Sequence, residues 1–260
     1  MDRAVSTVLD VTLCLILIGV AVGTLVAAVP GSDRTAPVDG DPNAAAIGTV
    51  TASVSLEEGR TAHGTLAQHL SRATVIGAAL DGEGVIVSEY PDATRAAVEN
   101  HTGDRVKITT RWTAYPDSPL EGRLTVGPSP PSNADVAVTR LSVDSGIPDP
   151  EPTRSTEAFA SSVATGYIDR VFPPERTRVL LTNPRTAPSA ADRYRDSAET
   201  IGIEIGDPIA NARPHETNER LASGLAGRFE TDLRAGNGTE TDLPTATADR
   251  VEIVIRRWEP

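Results

Sequence analysis

The longest unbroken feature of the chain is the run Val11 to Val29, VTLCLILIGVAVGTLVAAV, 19 residues without a charge. As a helix at about 1.5 Å per residue it spans roughly 28 Å, the thickness of a bilayer core. Ser6 or Thr7 can cap its start, Asp10 falls where the helix dipole favours an anion, and Pro30-Gly31 ends it. Residues 31–48 carry Gly, Pro, Asp and Ala without periodicity and read as a linker.

Beyond the linker the pattern alternates between helical and strand periods. Leu66, Leu70, Ala73, Gly77 and Leu80 recur at helical spacing within 61–80, and a strand is expected over 84–90. Val106, Ile108, Thr110 and Trp112 alternate with polar residues, which predicts a half-buried strand over 105–115. Strands over 122–126 and 135–143 continue this pattern, and a shift of face between Val138 and Leu141 predicts a bulge near Arg140. The acidic, proline-rich stretch Pro148 to Pro152 then marks an internal boundary. After it come a helix with Phe159, Val163 and Tyr167 on one side, a stop at Pro173-Pro174, and a short strand at 179–181. Leu221, Leu225, Phe229 and Leu233 form one helical stripe that ends at Gly236-Asn237-Gly238, and Val251, Ile253 and Ile255 face one way on a closing strand. The expected fold class is therefore α+β. It comprises an N-terminal transmembrane helix (1–30), a linker (31–48), and an extracytoplasmic region divided into two small α+β units, 49–147 and 153–260.

Charge adds a strong constraint. There are 36 Asp and Glu against 24 Lys and Arg, a net charge of −12, which argues against nucleic acid as a partner. Lys107 is the only lysine beside 23 arginines. An acidic surface almost without lysine is similar to that of proteins from extreme halophiles, where salt screens carboxylate repulsion; a GC-rich genome also favours arginine. Aromatics make up only 3% of the chain, so the core is expected to be aliphatic. Cys14 is the one cysteine, so no intramolecular disulfide can form.

Arg3-Ala4-Val5-Ser6-Thr7-Val8, running directly into the apolar segment, resembles the class III signal of archaeal type IV pilin-like proteins. That resemblance implies cleavage between Ala4 and Val5, retention of the helix, and assembly with other pilin-like or secretion-apparatus subunits. It covers about 30 residues at the N-terminus; Asp10 falls at mature position six, where many pilins place Glu at five. Gly19, Gly23 and Ala27, four apart, offer a small-residue face for helix packing. A cleaved secretory signal ending at Val26-Ala27-Ala28 is the competing reading of the same segment.

Candidate chemistry is sparse. His63, His69, His101 and His215 lack partners at i+3 or i+4, so no metal site is expected; His63 and His69 are placed on or beside the apolar face of one helix. No nucleophile elbow, phosphate loop or dinucleotide fingerprint occurs, so neither cofactor nor catalytic residue is assigned. Asn100 and Asn237 satisfy the N-glycosylation sequon in expected surface positions. The leading expectation is a single-pass surface protein with its N-terminus in the cytoplasm and its folded region outside, acting by pilin-like assembly. The alternatives are a tethered ligand- or envelope-binding domain without a filament role, and an anchored hydrolase.

Overall fold

A computed structural model of the chain describes residues 47–56, 61–150, 153, 155–206, 209, 211–236 and 247–259. The expected anchor, with Ala4, Val5, Gly19, Gly23 and Ala27, lies outside the described residues, as does Asn237. No helix among the described residues is long and apolar enough to cross a membrane. All the described residues belong to one compact unit, 37–260.

That unit is α+β. A hairpin of β1 (Thr51–Ser55) and β2 (Thr61–Thr65) leads into α1 (Leu66–Ile76). Thr65 starts α1 with a capping box: its hydroxyl accepts from the Gln68 amide and the Gln68 side chain accepts from the Thr65 amide. The short strands β3 (Ala79–Leu80) and β4 (Glu83–Gly84) precede α2 (Tyr90–Thr102). Three long strands follow, β5 (Val106–Thr113), β6 (Leu120–Val126) and β7 (Val136–Asp144). Then come the helices α3 (Thr156–Val171), α4 (Pro174–Thr182), α5 (Ala187–Ile201) and α6 (Pro214–Gly236), before the closing strand β8 (Arg250–Trp258).

The main sheet has the order β4-β3-β6-β5-β8-β7, with every neighbouring pair antiparallel. β8 enters between β5 and β7, so residues on both sides of the Pro148–Pro152 stretch share one sheet and one core. Val106, Ile108 and Trp112 of β5 and Val251, Ile253 and Ile255 of β8 point to the buried face, as the period of two requires. Gly122 lets α1 lie directly on β6: a Cβ there would sit 2.2 Å from the Thr74 carbonyl oxygen.

Several expectations need correction. β7 pairs with β8 in unbroken register from Val136 to Asp144, without a bulge at Arg140. The apparent shift of face arises because β7 is an edge strand whose first half is exposed on both sides, leaving Val138 46% accessible. Residues 179–181 belong to helix α4 rather than to a strand, because Pro174 fixes a helical first turn and Val179 points to solvent. The region 61–80 divides into β2 and α1, so His63 lies on a strand. The segment 84–90 becomes a loop entering α2. The core is also more aromatic than expected, since all nine Phe, Trp and Tyr side chains are buried. Trp112 stacks on Tyr167 at 5.6 Å, and Tyr115 meets Phe159 and Phe229 edge-on.

Candidate functional site

The ends of several elements leave a small cleft that opens to solvent. One side is built by α1 with Arg72 and Ile76, and by the loop into α2 with Ile86, Ser88, Glu89 and Tyr90. The other is built by Val171 and Phe172 at the end of α3, by Pro173, Arg176, Thr177 and Leu180 at α4, and by Ala190, Arg193 and Tyr194 of α5. Leu56, just after β1, completes the lining.

Sequence-local chemistry places these groups. Pro173-Pro174 ends the run from α3 and restarts the chain as α4, turning the first turn of α4 into the cleft. Ser88 accepts a hydrogen bond from the Tyr90 amide at 3.2 Å and so fixes the entry of α2. Neither α2 nor α4 has a side-chain cap on its N-terminal cap residue, and both first turns contribute lining residues. Their partial positive ends thus lie at the cleft wall.

The floor is rigid. Phe172 and Tyr194 stack with centroids 4.1 Å apart. Tyr194 donates to Asn218 Oδ1 at 2.7 Å, while Asn218 Nδ2 donates to the Phe172 carbonyl at 2.8 Å and to Asp169 at 2.9 Å. One buried amide of α6 therefore joins α3 and α5 beneath the cleft.

Tyr90 forms the inner wall. Its hydroxyl lies 2.7 Å from His69 Nδ1, and His69 Nε2 lies 3.1 Å from the Ala52 carbonyl. A carbonyl can only accept, so Nε2 carries the proton and neutral Nδ1 accepts from Tyr90. Burial holds the His69 pKa below its ordinary value, which keeps that tautomer in place. The Arg72 guanidinium stacks over the Tyr90 ring at 5.0 Å, with its buried Nε making no hydrogen bond. Burial raises the Tyr90 pKa, and the positive charges of Arg72, Arg170 and Arg176 act against that rise. Arg170, behind the wall, donates from Nε to the Ser145 carbonyl at 2.8 Å; burial and the nearby Arg72 lower its pKa.

Among the described residues, three arginines and one carboxylate line the cleft, on a chain of net charge −12. Among the described residues, neither the Arg72 nor the Arg193 guanidinium has a carboxylate or hydrogen-bond acceptor.

Of the histidines considered from sequence, only His69 supports the cleft, through Tyr90. His63 is exposed, 2.9 Å from Ser53 Oγ; His101 is exposed, with Nδ1 at 2.7 Å from the Ala97 carbonyl; His215 is exposed in the first turn of α6. Asn100 is exposed in the last turn of α2. Sequence reading missed Arg72, Arg176 and Arg193. For Arg72 a signal exists: it stands three residues after His69 and four before Ile76, so a helical period puts it on a buried face.

Over residues 9–258 the chain matches the model of a family of unknown function, DUF7284, and it belongs to that family. No curated protein and no solved structure matches it.

Proposed function

We propose that this DUF7284 protein is a membrane-anchored binding protein, held by the segment Val11–Val29 and displaying its folded region at the cell surface, where the arginine-lined cleft receives a small ligand. The observation that carries the binding role is the cleft: a concave space over an aromatic floor, lined by apolar side chains and by polar and charged groups that converge on it. The anchor, with its N-terminus in the cytoplasm, rests on the uncharged run and on Arg3 before it. No catalytic role is assigned, because neither His63 nor His215 lines the cleft and no activated nucleophile is present among its lining residues.

The binding reading is tested by a compound screen on the full chain in neutral-lipid nanodiscs, read by melting temperature, with Leu180→Trp as a variant whose cleft is filled. A ligand at a hundred times its Kd stabilises by about 2.7 kcal/mol, roughly 5–10 °C for a domain of this size. A compound that raises the melting point of the wild type but not of Leu180→Trp supports the reading. Silence across the screen, or equal shifts in both proteins, contradicts it.

Assembly in a pilin-like filament is a second reading, favoured by the Arg3-Ala4-Val5 start and by Gly19, Gly23 and Ala27. Intact-mass analysis from native membranes separates the two. A mature start at Val5 that is lost without the prepilin peptidase supports assembly; a start at Met1 leaves a plain anchored protein. A start near Val29 overturns the anchor.

A further inference from the structure

We infer that the ligand of the cleft is an amphipathic organic anion, a carboxylic or phosphoric acid with a compact apolar body. This rests on the binding reading above and names the chemistry of the molecule bound. The acid group is assigned to the Tyr90 end, where Arg72 lies over the Tyr90 ring and Arg176 shares the lining. The Arg72 guanidinium is held in place there by the Tyr90 ring, yet has no acceptor among the described residues. A planar cation fixed on an aromatic face, with its N–H groups unspent, is built to take an anionic oxygen pair. Arg193 contributes a second guanidinium from the opposite wall, without an acceptor among the described residues.

The first turns of α2 and α4 add amide dipoles of the same sign. Glu89 is the only carboxylate among the described lining residues, so a cationic ligand would face the guanidinium groups of Arg72 and Arg193 there. An inorganic anion would satisfy the arginines but leave the apolar part of the cleft in contact with water. Ile76, Ile86, Val171 and Leu180 call for hydrocarbon beside the acid group.

The relay from Tyr90 through His69 to the Ala52 carbonyl makes the anion end selective for charge. Because the Tyr90 proton is donated to His69, Tyr90 has no proton to offer a ligand, and the charged donors in the described lining are guanidinium groups.

The test is calorimetric titration of the full chain in neutral-lipid nanodiscs, corrected for empty discs, with hexanoate, hexyl phosphate, hexanol, hexylammonium and inorganic phosphate. Hexanoate and hexyl phosphate are expected to bind once per chain, at least tenfold more tightly than the other three. Arg72→Met and Arg193→Gln, each with an unchanged circular dichroism spectrum, are each expected to weaken the hexyl anions tenfold or more. Arg193 is only half-buried, so its variant keeps the test open if Arg72→Met fails to fold. Equal binding of hexanol or hexylammonium, or unchanged anion affinity in the folded variants, overturns the inference while leaving a binding cleft. Silence from all five probes also overturns it, and the binding reading itself falls if the compound screen is silent too or shifts the wild type and Leu180→Trp equally.

Discussion

Two glycine-to-alanine substitutions should move stability in opposite directions, because one glycine is a contact and the other is only a weak helix former. At Gly122 a methyl group would lie 2.2 Å from the Thr74 carbonyl oxygen and 3.0 Å from its carbon, about 1 Å inside normal contact, and both atoms are backbone of α1. The helix must therefore lift from β6, and overpacking of this kind costs about 3 kcal/mol, at the upper end for core insertions. For a domain of this size that lowers the melting temperature by roughly 6–12 °C. At Gly227, exposed within α6, a Cβ meets nothing within 4 Å. Alanine there should stabilise by about 0.8 kcal/mol, a rise of roughly 2 °C. The assay is a circular dichroism melt of the full chain, both variants beside the wild type in one buffer. Because α1 carries Arg72 and Ile76 into the cleft, Gly122→Ala should also weaken hexanoate binding. A melting point for Gly122→Ala within 1 °C of wild type, or equal losses in both variants, would refute the seating of α1 on the sheet.

Asn218→Ala removes the acceptor of the buried Tyr194 hydroxyl and the donor to the Phe172 carbonyl, so it should cost about 2–3 kcal/mol in urea unfolding; a loss below about 0.5 kcal/mol would mean the floor is held by packing alone. His69 has a folded-state pKa below its unfolded value of 6.5, so its contribution is complete above that pH and is lost as pH falls through 6.5 towards the folded value. Melts of wild type and His69→Gln from pH 8 to pH 5 should show that extra loss only in the wild type, and parallel profiles would remove His69 from the account. With a net charge of −12, self-repulsion should make the melting temperature rise with added KCl, and a flat or falling salt profile would argue against the halophilic reading of the composition.

Long elements with large side chains were legible from sequence. The stripes Phe159-Val163-Tyr167 and Leu221-Leu225-Phe229-Leu233 lie buried on α3 and α6, and the alternation in β5 and β8 matches their buried faces. What escaped did so for local reasons. The buried face of α5 is Ala190, Ala191, Tyr194, Ala198 and Ile201, too small a set to stand out as a hydrophobic stripe. Val179, Leu180 and Leu181 read as strand because they are consecutive and apolar, yet they lie on a helix that buries only Thr177 fully. β7 looked broken because an edge strand is under weak demand for alternation.

The cleft had almost no local signature. Its arginines come from α1, α4 and α5, more than 100 residues apart at the extremes, among 23 arginines in the chain. Charge composition pointed the other way, since an acidic chain gives no hint that one concave surface is basic. Only the placement of Arg72 on the apolar side of α1, beside His69, carried information, and it became meaningful once Tyr90 was brought against both.

The central claim, that the arginine-lined cleft is the ligand site, is tested most directly by crystals of the protein soaked with 4-bromobenzoate and measured at the bromine edge. The account predicts an anomalous peak inside the cleft, on the apolar side towards Ile76 and Leu180, with the carboxylate turned to Arg72. Bromine elsewhere on the surface, or a cleft without the probe in crystals that bind it, would contradict the claim.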